Sequence, residues 1–148
     1  MRVVIGSDHA GFVLKETIKA LLGRMGVPCE DVGASSAASS DYPDFAAAAA
    51  RVILDGRADR GILVCGTGIG MVIAANKIPG IRAGLAWNAA TAHLARAHNN
   101  AQILTLGGRT TPAAEVEPIV RAFLTAEYEG GRHDARIAKI ARLECKDR

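Results

Sequence analysis

The residues able to do chemistry stand in a few short runs. "CGTGIG", Cys65 to Gly70, sets a thiol at the end of the apolar run "GILV" and follows it with glycines at every second position. Bare backbone N–H groups at a strand-to-helix turn suit an anion or a developing oxyanion. A cysteine beside such a turn reads as a reactive thiol. "SDHAG" puts Asp8 and His9 at the end of the first apolar run, and "HNN" puts His98 and Asn99 at the end of a helical one. Arg109 follows "LGG", and Arg132 and Arg136 stand four apart in "GGRHDAR", on one face of a starting helix. Guanidiniums so placed suit a phosphate. Tyr42, in a polar stretch, is placed to close over a site. Together these groups suit proton transfer on a phosphorylated carbonyl compound.

Ordinary roles compete at every position. Most free cysteines are small buried hydrophobes, a histidine is at home at a helix C-terminus, and paired arginines often form a solvated face. Other glycine loops compete as well. A dinucleotide fingerprint needs GxGxxG with an acid about 20 residues on, but here the spacing is GxGxG and position 86 is alanine. No G-K-[ST] of a phosphate-binding loop occurs, and Met71 stands where a cysteine phosphatase would have its arginine. "CGTGI" is also similar to the phosphocysteine loop of sugar-phosphotransferase carriers, which follows a first strand rather than a third.

Composition narrows the field. The chain has 148 residues, 49% hydrophobic and 22% charged, which suits one globular domain spanning 1–148. Aromatics at 4% argue against nucleic-acid stacking platforms. Residues 1–129 carry 12 basic and 12 acidic side chains, so the net charge of +3 comes from the tail, with 6 and 3. A small basic tail suits a small anion or a subunit contact better than a DNA footprint. Cys29, Cys65 and Cys145 show no CxxC or Cys/His metal spacing, so neither disulfide, metal nor cofactor is expected, and the reducing cytoplasm is the expected location. No apolar run approaches the roughly 18 residues of a membrane span.

These side chains need a scaffold. Short β-branched runs at 2–6, 28–33, 60–65, 81–87 and 101–107 read as strands. Helices are expected over 12–26, over 44–56 with Pro43 at its start, over 67–77, over 88–98 with Asn88 as N-cap, over 112–128 and over 133–145. Pro118 predicts a kink or a later start for the fifth helix. Regular alternation implies an α/β fold with a Rossmann-like, doubly wound parallel five-stranded sheet and helices on both faces. Ligands bind such sheets at the strands' carboxyl ends.

The runs "GSDHAGF", "DYPDFA", "GILVCGTGIGMVIAANKIPGIRA", "HNN", "ILTLGGR" and "YEGGRHDAR" extend in order over nearly the whole chain. As a set they resemble the ribose-5-phosphate isomerase B family, which includes galactose-6-phosphate isomerase subunits. The resemblance implies a metal-free aldose–ketose isomerase of the pentose phosphate pathway working through an enediolate. It implies Cys65 as the base at C2 and Thr67 as the residue orienting the reacting oxygens. The amides of Gly66, Thr67, Gly68, Ile69 and Gly70 would hold the enediolate. His98 would be the ring-opening acid with Asp8 opposite, Asn99 would bind hydroxyls, and His9, Arg109, Arg132 and Arg136 would bind the phosphate. It also implies a homodimer or homotetramer with shared sites, the C-terminal helix reaching a partner subunit. Many ribose-5-phosphate members read "HND" where this chain has "HNN", a form also found in the galactose-6-phosphate branch. Ribose 5-phosphate leads as substrate; allose 6-phosphate, galactose 6-phosphate and erythrulose 4-phosphate remain alternatives.

Overall fold

The computed structural model describes residues 1–144; Cys145 and the last three tail residues lie outside the described part. Five strands, β1 (Val3–Ser7), β2 (Cys29–Asp31), β3 (Arg60–Cys65), β4 (Ala83–Leu85) and β5 (Ile103–Gly107), alternate with helices. These are α1 (Phe12–Arg24), α2 (Tyr42–Leu54), α3 (Ile69–Ala75), α4 (Ala89–Ala97) and α5 (Ala113–Thr125), and α6 (Arg132–Glu144) closes the described chain. All strands are parallel, in the order β2-β1-β3-β5-β4. The chain runs outward from β1 to β2, then crosses back to β3, so the strand order reverses between β1 and β3. The connections leaving those two strands diverge and open a crevice at their carboxyl ends.

Alternate residues of the central strands face two cores. On one side Val3, Ile5, Ile62, Val64, Leu104 and Leu106 pack against Ile18, Leu21 and Leu22 of α1 and Ile119, Val120 and Phe123 of α5. On the other, Val4, Leu63, Cys65 and Ile103 meet Ala46, Ala49 and Ala50 of α2 and Met71 and Ala75 of α3. Burial on both faces explains why β1, β3 and β5 read as predominantly apolar runs, with Thr105 the one polar residue inside them.

The edge strands are shorter than expected, three residues each instead of 28–33 and 81–87. Each pairs on one side only, and β2 is exposed along its length. Asn88 caps α4 as expected: its side chain accepts the Thr91 N–H at 2.8 Å, and the Thr91 hydroxyl oxygen accepts the Asn88 N–H in return. The fifth helix starts at Ala113 and runs through Pro118. Pro118 and Ala114, whose carbonyl loses its partner, are both exposed, so water satisfies that carbonyl. The last helix, α6, stands off the sheet, and among the described residues His133 is its one buried side chain. Ile140 and Leu143 are exposed beside a cleft of about 690 Å³ against the β4 edge. No helix among the described residues is long and apolar enough to cross a membrane.

At the carboxyl end of β2, Lys15 lies buried with its Nζ 2.6 Å from the Asp31 carboxylate, which also pairs with Lys19 at 2.7 Å. Burial alone would push the Asp31 carboxyl up, but the two ammoniums and the Gly33 N–H outweigh it and hold it below its ordinary 3.8. A depressed folded value contributes stability above the unfolded value and loses it as pH falls through the folded one. Asp31→Asn is therefore expected to cost about 2 kcal/mol at neutral pH, less than breaking a fully buried pair because Asp31 keeps water contact. The gap from the parent should close in urea unfolding titrations below pH 3.8.

Candidate active site

Three connections meet at the carboxyl edge of the sheet. Cys65 ends β3 with 4% of its surface exposed. The chain then turns through Gly68 at φ +78, where an added Cβ would stand 2.9 Å from the Leu106 carbonyl carbon. No other residue satisfies both the positive φ and that approach. The turn brings the Gly68 N–H back onto the Cys65 sulfur at 3.1 Å, a hydrogen bond that a thiolate accepts better than a thiol. The Thr67 oxygen accepts the Ile69 N–H at 3.2 Å, which fixes the start of α3. Among the described residues, the N–H groups of Gly66, Thr67 and Gly70 donate to no protein atom. They are available to a ligand's oxygens next to the thiol.

The β1 connection closes one side. Asp8, 5% exposed, accepts the Gly11 N–H at 3.0 Å and donates its own N–H to the Val64 carbonyl at 3.3 Å. Gly11 presses on the end of β3 so closely that a Cβ there would lie 2.4 Å from the Val64 oxygen. His9 donates its N–H to the Ser40 hydroxyl at 3.1 Å, and its Nδ1 accepts the Ser40 N–H at 3.2 Å. The same Nδ1 also lies 3.2 Å from the Ser40 carbonyl oxygen, so the Ser40 backbone engages that nitrogen in either tautomer.

The β5 connection and α2 supply the remaining walls. Gly108 donates to the Cys65 carbonyl at 2.7 Å and Arg109 to that of Gly66 at 2.9 Å. The Arg109 guanidinium lies directly over Gly66, and the ring of Tyr42 over Gly70. Tyr42, expected in a loop, is the first residue of α2. Cys65, Thr67, the 66–70 amides, Asp8, His9, Tyr42 and Arg109 thus gather at one edge.

His98, Asn99, Arg132 and Arg136 lie at the opposite edge. His98 caps the C-terminus of α4, and Arg82, just ahead of β4, donates to the Asn99 and Asn100 carbonyls. From there β5 runs five residues, about 15 Å, to Gly107 beside Cys65. Arg132 and Arg136 are exposed on the first turns of α6.

Two features carry no signal at short sequence spacing. Ser40, in a run of small polar residues, is the clamp on His9. Glu129 and His133 flank His98: the two histidine rings stack at 4.3 Å between centroids, and the Glu129 carboxylate lies 3.6 Å from the Nε2 of each. The three ligating atoms lie within 4.8 Å of one another, the spacing of a metal-binding group. Burial, then neighbouring His98 and Arg132, push the His133 imidazole below its ordinary range.

A strand-end thiol in a cradle of free amides, beside an acid, a histidine and an arginine, is the equipment of an enzyme that shifts protons on an anionic substrate. Residues 3–140 match the ribose/galactose isomerase family. Ribose-5-phosphate isomerase B of Mycolicibacterium paratuberculosis is 48% identical over 146 residues, covering 97% of this chain and 92% of that protein. The solved ribose-5-phosphate isomerase B of Clostridium thermocellum superposes with a TM-score of 0.96 at 45% identity, covering 97% of each chain. That of Mycoplasma genitalium, solved with bound ribulose-5-phosphate, gives a TM-score of 0.91 at 43% identity, covering 99% of this chain and 97% of the other. The chain belongs to the ribose/galactose isomerase family and is an aldose–ketose isomerase.

The loop geometry separates two glycine substitutions. Gly68→Ala meets fixed backbone at a positive φ and is expected to cost about 1–3 kcal/mol of folding stability. Gly70→Ala meets only the ring of Tyr42, which is 38% exposed and free to swing, and should cost under about 0.5 kcal/mol. Urea unfolding of both variants checks the order; the reverse order would contradict this placement of the loop.

Proposed function

We propose that the protein interconverts ribose 5-phosphate and ribulose 5-phosphate through an enediolate, with Cys65 as the base. The observation that carries this reading is the Cys65 sulfur seated under the Gly68 N–H among free loop amides. The ligand named for the Mycoplasma genitalium relative supports the choice of sugar.

In the proposed sequence His98 gives a proton to the ring oxygen while Asp8 takes one from the hydroxyl on C1. The C1–O4 bond breaks and the C1 carbonyl forms. The Cys65 thiolate then removes the proton from C2. The electron pair moves into a C1–C2 double bond, and the resulting oxyanion on O1 rests on the free amides of the 66–70 loop, those of Gly66, Thr67 and Gly70. Cys65 returns its proton to C1, and the O2 hydroxyl proton passes to O1 as the C2 carbonyl forms. Thr67 orients both oxygens, and Tyr42 covers the site. Asn99 binds substrate hydroxyls, and His9, Arg109, Arg132 and Arg136 neutralise the phosphate. No step calls on a cofactor.

One chain cannot deliver both sets of groups, since they sit at opposite edges of its sheet. A two-fold related pair of chains would set the Cys65 edge of each against the His98 edge of the other and create two equal sites. The exposed Ile69, Ile73, Trp87 and Leu94 and the apolar face of α6 support such an assembly. We place this homodimer in the cytoplasm, where Cys65 stays reduced.

Two experiments test the reading. Cys65→Ala should lower ribose 5-phosphate turnover about 10²–10⁴-fold, the usual worth of a positioned base; turnover that survives would remove Cys65 from the role. Cys65→Ala and His98→Ala chains, each nearly inactive, should recover about a quarter of parental activity when refolded together in equal amounts, because half the dimers then hold one intact site. No recovery would mean that each chain builds its site alone.

A further inference from the structure

The groups around His98 go beyond what the proposed reaction uses. Glu129 is fixed beside the end of α4 by its N–H bond to the Ala97 carbonyl at 3.0 Å. Gly130 and Gly131 follow with φ of +64 and +58, a reversal that starts α6 within two residues. Its second residue, His133, is thereby laid on the His98 ring, 4.3 Å away and 17° from parallel. The His133 side chain is 7% exposed and that of His98 32%. The buried Nε2 of His133 has no hydrogen-bond partner.

We propose that Glu129 and His133 are positioning residues for His98: the stacked ring sets the plane of its imidazole, and the shared carboxylate holds the proton it delivers. The inference rests on the reading of His98 as the ring-opening acid. Positive charge on one ring at this separation disfavours charge on the other. Burial, His98 and Arg132 together press His133 towards the neutral form. His98 is the more exposed ring of the two, and the Glu129 carboxylate stands 3.6 Å from its Nε2 as a counter-charge. The other charged groups at this corner are Arg136 and Asp134 on α6, Asp134 being engaged by the Tyr128 hydroxyl at 2.6 Å, and Arg82 ahead of β4.

A metal ion fits this geometry poorly. A histidine-bound metal lies in the ring plane about 2.1 Å from nitrogen. Two rings stacked 4.3 Å apart and 17° from parallel have no common point at that reach. One ring would have to turn out of the stack, whereas a shared proton needs no rearrangement.

The test compares two reactions on the full-length enzyme. Ribose 5-phosphate turnover requires ring opening. Exchange of the C1 proton of ribulose 5-phosphate with deuterium oxide does not, because phosphorylation of O5 keeps that ketose acyclic. Glu129→Gln should lower ribose 5-phosphate kcat/KM on the order of tenfold or more, as losing a carboxylate that orients a catalytic histidine does, and change the exchange rate less than about threefold. His133→Ala should show the same split, and His133→Phe, which keeps the stack, should recover part of the loss. Equal loss of both reactions in Glu129→Gln, or loss of neither, would overturn the inference, as would turnover abolished by a chelator and restored by zinc. His98→Asn separates the two levels of the argument. If it spares ribose 5-phosphate turnover, the acid assignment falls and the inference with it. If it splits the two reactions while Glu129→Gln and His133→Ala do not, the inference alone fails.

Discussion

Backbone pressed against backbone at the carboxyl edge of the sheet is the constraint on which the rest of this molecule depends. Gly11 abuts Val64, Gly107 abuts Thr67 and Gly108 abuts Ala10, each too close for a side chain. The connections after β1, β3 and β5 therefore close into one wall made of peptide groups. A peptide wall presents fixed dipoles whose orientation costs nothing when negative charge appears beside it. Among the described residues Cys65 is the single thiol set into that wall, held by the turn at Gly68.

The second organising fact is the length of β5. A strand of five residues keeps the two chemical groupings at opposite ends of the fold. Parallel topology makes this unavoidable: each of the helices α1 to α5 returns the chain to the amino edge, so residues at their C-termini collect there, and residues after strands collect at the other edge. His98 is a helix-terminal residue and Cys65 a strand-terminal one. The separation of His98 from Cys65 is written into the order of elements before any side chain is chosen.

The sequence makes the middle of the sheet plain and its margins obscure. β1, β3 and β5 are apolar but for Ser7, Arg60 and Thr105 because helices cover both faces, and such runs have one interpretation between glycine stops. β2 and β4 are edge strands whose polar or small residues, such as Cys29-Glu30-Asp31 and Ala83-Gly84-Leu85, carry no comparable pattern. Asn88 was legible as a cap because capping is a local event. The passage of α5 through Pro118 was not, since it depends on which face of the helix meets water. At the site, the Cys65 loop declares itself by glycine spacing. Ser40 does not, because its partner lies 31 residues away. In "GGRHDAR" the arginines drew attention for their charge, while His133, between them in sequence, points inward to a ring on another helix.

The alanines of α2 have a consequence outside the core they fill. Ala46, Ala49 and Ala50 let the helix lie close to the sheet, and the same rigid rod begins with Tyr42 over Gly70. The helix acts as a spacer whose thickness is set at the back of the sheet and read out at the mouth of the crevice. A methyl group added at Ala49 would press on the core that also holds Val4, Leu63 and Cys65 and lift the rod that begins with Tyr42. The position of the crevice's rim is thus set in part from behind it, by the methyl groups that α2 lays on the sheet.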